Sequence, residues 1–156
     1  MPLLHPGDVF PDLALSLPAG RSLSVREAFD GQYGALLFYR GSWCPYCNAQ
    51  LRAFQHAGPA LDEAGVRVAA LSVDDEETTA ALVTRRGLTF PVGFGADAPA
   101  VAAATGAFTS AEQVYLQSTG FVLDPEGAVV VSVYSSGAIG RLMPDDVAGL
   151  VRYMRR

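Results

Sequence analysis

The stretch Gly34-Ala-Leu-Leu-Phe-Tyr39 runs straight into Arg40-Gly-Ser-Trp-Cys-Pro-Tyr-Cys47, and this junction decides the fold. The first six residues are apolar on both faces, as a strand in the middle of a parallel sheet requires. From Pro45 to about Glu63, apolar residues recur at three- and four-residue steps, which predicts a helix. Gly58-Pro59 should kink or break that helix, because proline lacks an amide hydrogen and clashes with the preceding turn.

Strands and helices alternate on both sides of this junction. Upstream, a Pro- and Gly-rich arm predicts a short strand near Asp12–Leu17 and a one-turn helix near Val25–Phe29. The βαβα order predicts an α/β domain over residues 1–156, with a central mixed sheet flanked by helices. The predicted downstream elements are strand Val66–Val73, a helix opened by Asp74-Asp75-Glu76-Glu77 and ending near Gly87, strand Phe90–Gly93, helix Pro99–Thr105, an antiparallel hairpin of Phe121–Asp124 and Ala128–Tyr134, and a last helix from Pro144 with Val147, Leu150, Val151 and Met154 facing inward.

Composition excludes several classes of function. The chain has 156 residues, half of them apolar, which suits one core. Its net charge is −5, and the largest basic clusters are Arg85-Arg86 and the three terminal arginines, which argues against nucleic-acid binding. All eleven basic residues are arginines, so Schiff-base lysine chemistry is excluded. The N-terminal residues do not resemble a signal peptide and no apolar run approaches about 18 residues, so we expect a cytoplasmic protein that does not bind membranes.

The two cysteines, Cys44 and Cys47, carry the chemistry that the sequence suggests. At a helix start, the helix dipole and unpaired amide groups stabilise a thiolate and can lower a cysteine pKa from about 8.5 to roughly 3.5–7.5. Pro45 suits the first helical position, where a missing amide hydrogen costs nothing. Cys47 lies one turn deeper on the same face, within reach of Cys44 but less accessible. We therefore predict that Cys44 attacks and Cys47 resolves.

Other interpretations of the cysteine pair are a metal site and two inert, buried thiols. Zinc needs about four ligands. Beyond the pair only His5 and His56 are available, neither at a zinc-finger spacing, and both are expected on the surface. Residue 48 is Asn, which excludes the C-x-x-C-H pattern of haem attachment. We expect neither a metal nor an organic cofactor.

Three segments carry a family resemblance that covers nearly the whole chain: Tyr39–Cys47, the arm from Pro6-Gly7-Asp8 to Pro11, and Phe121–Gly127. Together they resemble the peroxiredoxin-like branch of the alkyl hydroperoxide reductase and thiol-specific antioxidant family. The resemblance implies a thioredoxin-like fold with an N-terminal extension and thiol-dependent reduction of peroxides or disulfides. The Cys-Pro-Tyr-Cys tetrapeptide is also similar to the active site of glutaredoxins, and Trp43 is similar to the tryptophan before the first cysteine of thioredoxins.

The sequence departs from these families at particular positions. Typical peroxiredoxins carry a proline seven residues, and a threonine or serine three residues, before the attacking cysteine, whereas this chain has Leu37 and Gly41 there. A hydroxyl for peroxide activation is then available only from Ser42. Thioredoxins place a cis-proline just before the strand that here begins at Phe121, and residues 115–120 contain no proline.

Side chains near the motif are candidates for supporting roles. Arg40 can hold the Cys44 thiolate or a peroxide oxygen by a charge-assisted hydrogen bond. Trp43 either walls the site or packs beside the central strand. Thr119, with Ser118, lies where the fold is expected to place a loop facing the cysteines. Arg141 is not assigned to the site.

These residues predict a thiol peroxidase that reduces hydroperoxides through Cys44, with Cys47 as the resolving cysteine. An external thiol reductant of the thioredoxin or glutathione type would then restore the dithiol. Two alternatives stay open: a thiol-disulfide oxidoreductase without peroxidase activity, and a non-enzymatic domain whose disulfide switches a partner surface. Whether two chains form a homodimer is also open.

Overall fold

A computed structural model describes residues 2–156 and builds them around one five-stranded sheet and one small hairpin. The strands are β1 (Ala14–Leu17), β2 (Arg21–Ser24), β3 (Tyr33–Phe38), β4 (Val66–Leu71), β5 (Val92–Gly93), β6 (Thr119–Leu123) and β7 (Val129–Tyr134). The helices are α1 (Val25–Phe29), α2 (Pro45–His56), α3 (Gly58–Ala64), α4 (Glu76–Arg86), α5 (Ala98–Thr105) and α6 (Pro144–Met154).

Strand β3 lies at the centre of the large sheet, whose order is β5-β4-β3-β6-β7. It pairs in parallel with β4, and β4 pairs in parallel with β5. On its other side β3 pairs antiparallel with β6, which forms an antiparallel hairpin with β7. The mixed α/β architecture predicted from the sequence is confirmed.

Two cores cover the two faces of the sheet. Alternate residues of a strand point to opposite faces, so Leu37 and Phe38 enter different cores. The face of Leu37 is covered by α2, α3, α4 and α6, and its core includes both cysteines. The opposite face is covered by the N-terminal arm, α1 and α5. There Phe121 packs edge-on against Phe10 and Phe38 at ring-centroid distances of 5.0 and 5.6 Å. The cysteines therefore belong to one defined side of the sheet.

The structure refines several predicted elements. The helix predicted from Pro45 ends at His56, and α3 begins at Gly58 on the other side of Ala57, as the Gly-Pro pair indicated. Strand β2 was missed because its sequence, Arg-Ser-Leu-Ser, is mostly polar, and it is stabilised by pairing with β1.

The last helix differs from its prediction at two of the residues expected to face inward. Val147 and Val151 are buried, but Leu150 is only half-buried and Met154 is 44% exposed. Met154 is the final residue of α6, so it extends beyond the core that the rest of the helix covers. Within residues 2–156, none of the helices has the length and apolarity needed to cross a membrane.

A substitution on the central strand β3 tests the fold directly. Leu36 on β3 is fully buried, so we expect Leu36→Ala to lower the free energy of unfolding by about 2–5 kcal/mol through lost burial and a residual cavity. The matched control Leu3→Ala removes the same atoms at an exposed position and should cost less than about 0.5 kcal/mol. Urea unfolding under reducing conditions measures both, and equal losses would contradict the assignment of β3 to the sheet centre.

Candidate active site

The turn between β3 and α2 positions Cys44 at a helix start. The Cys44 amide donates to the Gly41 carbonyl at 3.1 Å, which closes the turn. Cys44 is the N-cap residue of α2, and its sulfur accepts a hydrogen bond from the Cys47 amide at 3.3 Å. Pro45 follows as the first helical residue, as predicted. The Cys44 sulfur therefore occupies the place of a capping oxygen at the positive end of the helix dipole.

Two polar side chains hold this turn from outside it. Asp74 accepts a hydrogen bond from the Ser42 amide at 2.8 Å. Asn48 donates to the carbonyl oxygens of Ser42 and Cys44 at 2.8 and 3.0 Å. The sequence predicts that Asp74 opens the helix, but Asp75 is the N-cap of α4, which leaves the Asp74 carboxylate free to bind the turn.

Arg40 is aimed at the Cys44 sulfur by neighbours that are distant in sequence. Its guanidinium donates to the Cys44 sulfur at 3.8 Å, a long contact. The Gln117 side-chain oxygen accepts from the same guanidinium at 3.0 Å, and the Tyr115 hydroxyl at 3.1 Å. These two anchors fix the direction of the guanidinium, as the suggested role of Arg40 requires.

An aromatic pair frames this guanidinium. Trp43 packs edge-on against Tyr115 with ring centroids 5.1 Å apart, and the guanidinium of Arg40 lies 5.0 Å from the Trp43 ring. Trp43 is 56% exposed, so it forms an outer wall of the site rather than part of the core. A β-carbon added at Gly41 would lie 2.2 Å from the Trp43 indole nitrogen. A threonine or serine at this position would therefore displace the tryptophan.

Arg141 lies in the site, although its position in the sequence does not predict this. Its guanidinium donates to the Cys47 sulfur at 3.0 Å and lies 3.7 Å from the Cys44 sulfur. The same group donates to the Gln50 side-chain oxygen and to the Ala138 carbonyl, each at 2.7 Å. Arg141 lies 94 residues beyond Cys47 in sequence, and no local pattern could have revealed the contact.

The two thiols differ in pKa because their electrostatic surroundings differ. Burial opposes ionisation of Cys44. Hydrogen bonds from the Cys47 thiol and amide and from the Arg40 side chain, together with the charge of Arg141, outweigh burial, so the pKa of Cys44 is lowered. Burial raises the pKa of Cys47, and its contact with Cys44 raises it further. The Arg40 amide donates to the Cys47 sulfur at 3.2 Å, and Arg141 also favours the thiolate. These contacts offset only part of the increase in the pKa of Cys47. Cys44 therefore ionises first.

The predicted difference in accessibility between the cysteines is not seen. Cys44 and Cys47 are both 0% exposed, because Cys44 is enclosed by the turn and by the side chains that face it. What distinguishes the two thiols in the structure is their ionisation.

Two candidate hydroxyls do not reach the sulfurs. Thr119 pairs with Phe38 in the sheet and points to the face opposite the cysteines, and its hydroxyl donates to the Gln117 carbonyl at 3.0 Å. Ser42 contributes its backbone groups to the turn, and within residues 2–156 its hydroxyl makes no hydrogen bond to either thiol. The segment before β6 instead brings Tyr115 and Gln117 to the site, where both accept hydrogen bonds from Arg40.

Metal-ligating residues do not gather near the thiols. His5 and His56 are exposed, as expected. Across the described part of the chain, no three His, Cys, Asp or Glu side chains come together in an arrangement suited to a metal ion.

A family model and curated relatives agree on one family. Residues 6–132 match the AhpC/TSA family. A peroxiredoxin of Methanothermobacter thermautotrophicus is 29% identical over 163 residues, covering 99% of this chain and 74% of the relative. A Mycobacterium tuberculosis protein with a peroxiredoxin name is 31% identical over 146 residues, covering 89% and 90% of the two chains. The crystal structure of peroxidoxin BcpB from Mycobacterium tuberculosis has a TM-score of 0.85 at 19% identity, covering 98% and 99%.

The ionisation order can be measured by alkylation. In the reduced protein, iodoacetamide should modify Cys44 before Cys47, with a pH midpoint below that of an ordinary cysteine thiol, because the pKa of Cys44 is lowered. Arg40→Met should move this midpoint upward, because a cation that favours the thiolate is lost. Arg52→Met, at an exposed position of α2, is the matched control and should leave it unchanged. Mass mapping that finds Cys47 modified first would reverse the assignment.

Proposed function

The chain belongs to the AhpC/TSA family of peroxiredoxin-like thiol peroxidases, and on that premise we propose that it reduces hydroperoxides by attack of Cys44, with Cys47 as the resolving cysteine. The observation that carries the proposal is the guanidinium of Arg40, anchored by Gln117 and Tyr115 and directed at the Cys44 sulfur. A thiolate and a fixed cation at the same point are what cleavage of a peroxide bond requires.

In the first step the Cys44 thiolate attacks one oxygen of a hydroperoxide. The sulfur–oxygen bond forms as the oxygen–oxygen bond breaks, the sulfur is oxidised to a sulfenic acid, and the leaving oxygen takes up a proton and departs as an alcohol or water. Negative charge moves from the sulfur to the leaving oxygen during this step. The Arg40 guanidinium and the amide groups at the start of α2 are positioned to stabilise that charge.

In the second step Cys47 attacks the sulfur of the Cys44 sulfenic acid. A disulfide forms, the sulfur–oxygen bond breaks, and the departing hydroxide combines with the proton from Cys47 to give water. The two steps balance with two thiols and one peroxide, and they yield a disulfide, water and the alcohol. An external thiol of the thioredoxin or glutathione type then reduces the disulfide by exchange.

Enclosure of the sulfurs favours a small substrate. A protein disulfide must approach a thiolate in line with its own sulfur–sulfur bond, but both cysteines are 0% exposed in this structure. A hydroperoxide is much smaller than a protein, and the guanidinium of Arg40, which lies against Trp43, is directed at the Cys44 sulfur. In the reduced protein this difference in size favours a hydroperoxide over a protein disulfide as the oxidant of Cys44.

The role of Arg40 is tested by the rate of a single turnover. We expect Arg40→Met to slow oxidation of Cys44 by hydrogen peroxide about 10²–10³-fold, the usual effect of losing one donor that stabilises a developing oxyanion. Rates are compared at a pH above the Cys44 midpoint of each variant, so that the loss of thiolate does not contribute.

Arg52→Met is the control for this measurement and should react at the wild-type rate. A wild-type rate no higher than that of a free thiolate of equal pKa, together with rapid reduction of a protein disulfide such as insulin, would assign the chain to the disulfide oxidoreductases instead.

The role of Cys47 is tested by trapping the intermediate. In Cys47→Ser, one equivalent of hydrogen peroxide should leave Cys44 as a sulfenic acid that dimedone modifies, because no second thiol of the chain can attack it. The wild-type protein under the same conditions should form an intramolecular disulfide and take up little dimedone. A stable sulfenic acid in the wild type would contradict resolution by Cys47.

A further inference from the structure

Arg141 contacts both sulfurs but lies closer to the resolving one. Its terminal nitrogen is 3.0 Å from the Cys47 sulfur and 3.7 Å from the Cys44 sulfur. The guanidinium of Arg40 shows the opposite preference: it donates to Cys44, and only the Arg40 backbone amide donates to Cys47. Both guanidinium groups thus reach the Cys44 sulfur, and of the two it is the Arg141 group that also donates to the Cys47 sulfur.

A buried glutamine holds Arg141 in this position. Gln50 is 3% exposed and lies on α2, one turn beyond Cys47. Its oxygen accepts from the Arg141 guanidinium at 2.7 Å, and its nitrogen donates to the Leu142 carbonyl at 2.8 Å. The amide therefore ties two consecutive residues of the segment before α6 to the helix that carries the thiols. The Ala138 carbonyl accepts from the remaining face of the guanidinium.

We propose that Arg141 is a catalytic residue of the resolving step, in which its guanidinium stabilises the Cys47 thiolate as it attacks the Cys44 sulfenic acid. The proposal rests on the peroxidase function proposed above and assigns the second half of that reaction to a second arginine. Arg40 serves the oxidation of Cys44, and Arg141 serves the formation of the disulfide.

The charge on the sulfurs explains why a second cation is needed. In the reduced enzyme the negative charge is on Cys44, and its proximity favours the protonated form of Cys47. Once Cys44 is a neutral sulfenic acid, that repulsion is gone, while the contacts of Arg141 and of the Arg40 amide with the Cys47 sulfur remain. The Cys47 proton leaves with the departing hydroxide as water, and the new sulfur–sulfur bond replaces the sulfur–oxygen bond. Arg141 therefore faces the Cys44 thiolate before the first step, and in the second step it faces the negative charge that develops on Cys47 as its proton passes to the departing oxygen.

The chain carries its own reporter for the two steps. Trp43 is the single tryptophan, and it lies against the Arg40 guanidinium next to Cys44. Stopped-flow fluorescence of the reduced protein mixed with hydrogen peroxide should show a phase whose rate rises with peroxide concentration, followed by a phase that is independent of it. The first phase reports sulfenic acid formation and the second reports disulfide formation, which quenched samples verify by mass.

In Arg141→Met we expect the second phase to slow about 10- to 100-fold, in line with the loss of a charged hydrogen bond to a buried group. The pH midpoint of the second phase should also move upward, because the Cys47 thiolate has lost its cation. The first phase should slow by a smaller factor. Arg141→Lys keeps the charge without the planar fork and should recover part of the second-phase rate and most of the pH midpoint.

Arg152→Met, an exposed change on α6, is the matched control and should leave both phases unchanged. A second phase that is unaltered in rate and pH midpoint in Arg141→Met would overturn the proposal, and so would an equal slowing of both phases. If Arg141→Met does not fold, an Arg141→Lys profile identical to that of the wild type in both phases would overturn it as well. Failure of the peroxidase function is a separate result, because it appears as a slow first phase in the wild type.

Discussion

The hydrogen bond from the Cys47 amide to the Cys44 sulfur is the interaction on which the site depends. It exists because β3 is buried on both faces and delivers the chain to the end of the sheet, where α2 begins with Cys44 as its cap. The capping position supplies the helix dipole and an amide donor to one sulfur and places the other sulfur one turn inside the helix. The difference between the two thiols thus originates in backbone geometry, and the charged side chains increase it.

The remaining parts of the site come from separate regions of the chain and are held by polar contacts. Asp74, after β4, fixes the turn through the Ser42 amide, and Gln117, before β6, fixes Arg40. Gln50 ties Arg141 to α2. Since each of these contacts joins residues far apart in sequence, the complete site exists only when the sheet is assembled. The fold therefore acts as a frame that brings two cations to two sulfurs.

Local sequence was sufficient for the parts of this arrangement that are local. The apolar run before Cys44 and Pro45 after it indicate a strand, a turn and a helix start, and these are present. The contacts of Arg141 depend on where the segment before α6 crosses α2, which no pattern in the chain encodes. Thr119 shows a second limit of prediction from sequence. Its place in the chain, next to the segment that reaches the site, suggested a contact with the cysteines. Side chains of a strand alternate between the two faces of the sheet, however, so a shift of one residue decides which core a side chain enters. Met154 was misplaced because periodicity does not reveal where the core beneath a helix ends.

Because the N-cap of α2 is the sulfur of Cys44, the strength of this cap depends on the oxidation state of the protein. A thiolate is a strong acceptor at a helix start, whereas a sulfur bonded to oxygen or to a second sulfur carries no charge and is a poor one. The arrangement around Cys44 and Cys47 therefore stabilises the reduced form more than the disulfide. A fold that favours its dithiol raises the reduction potential of the pair, so its disulfide is an oxidant toward external thiols. In the proposed reaction, the same bond that lowers the pKa of Cys44 also favours the return to the reduced state.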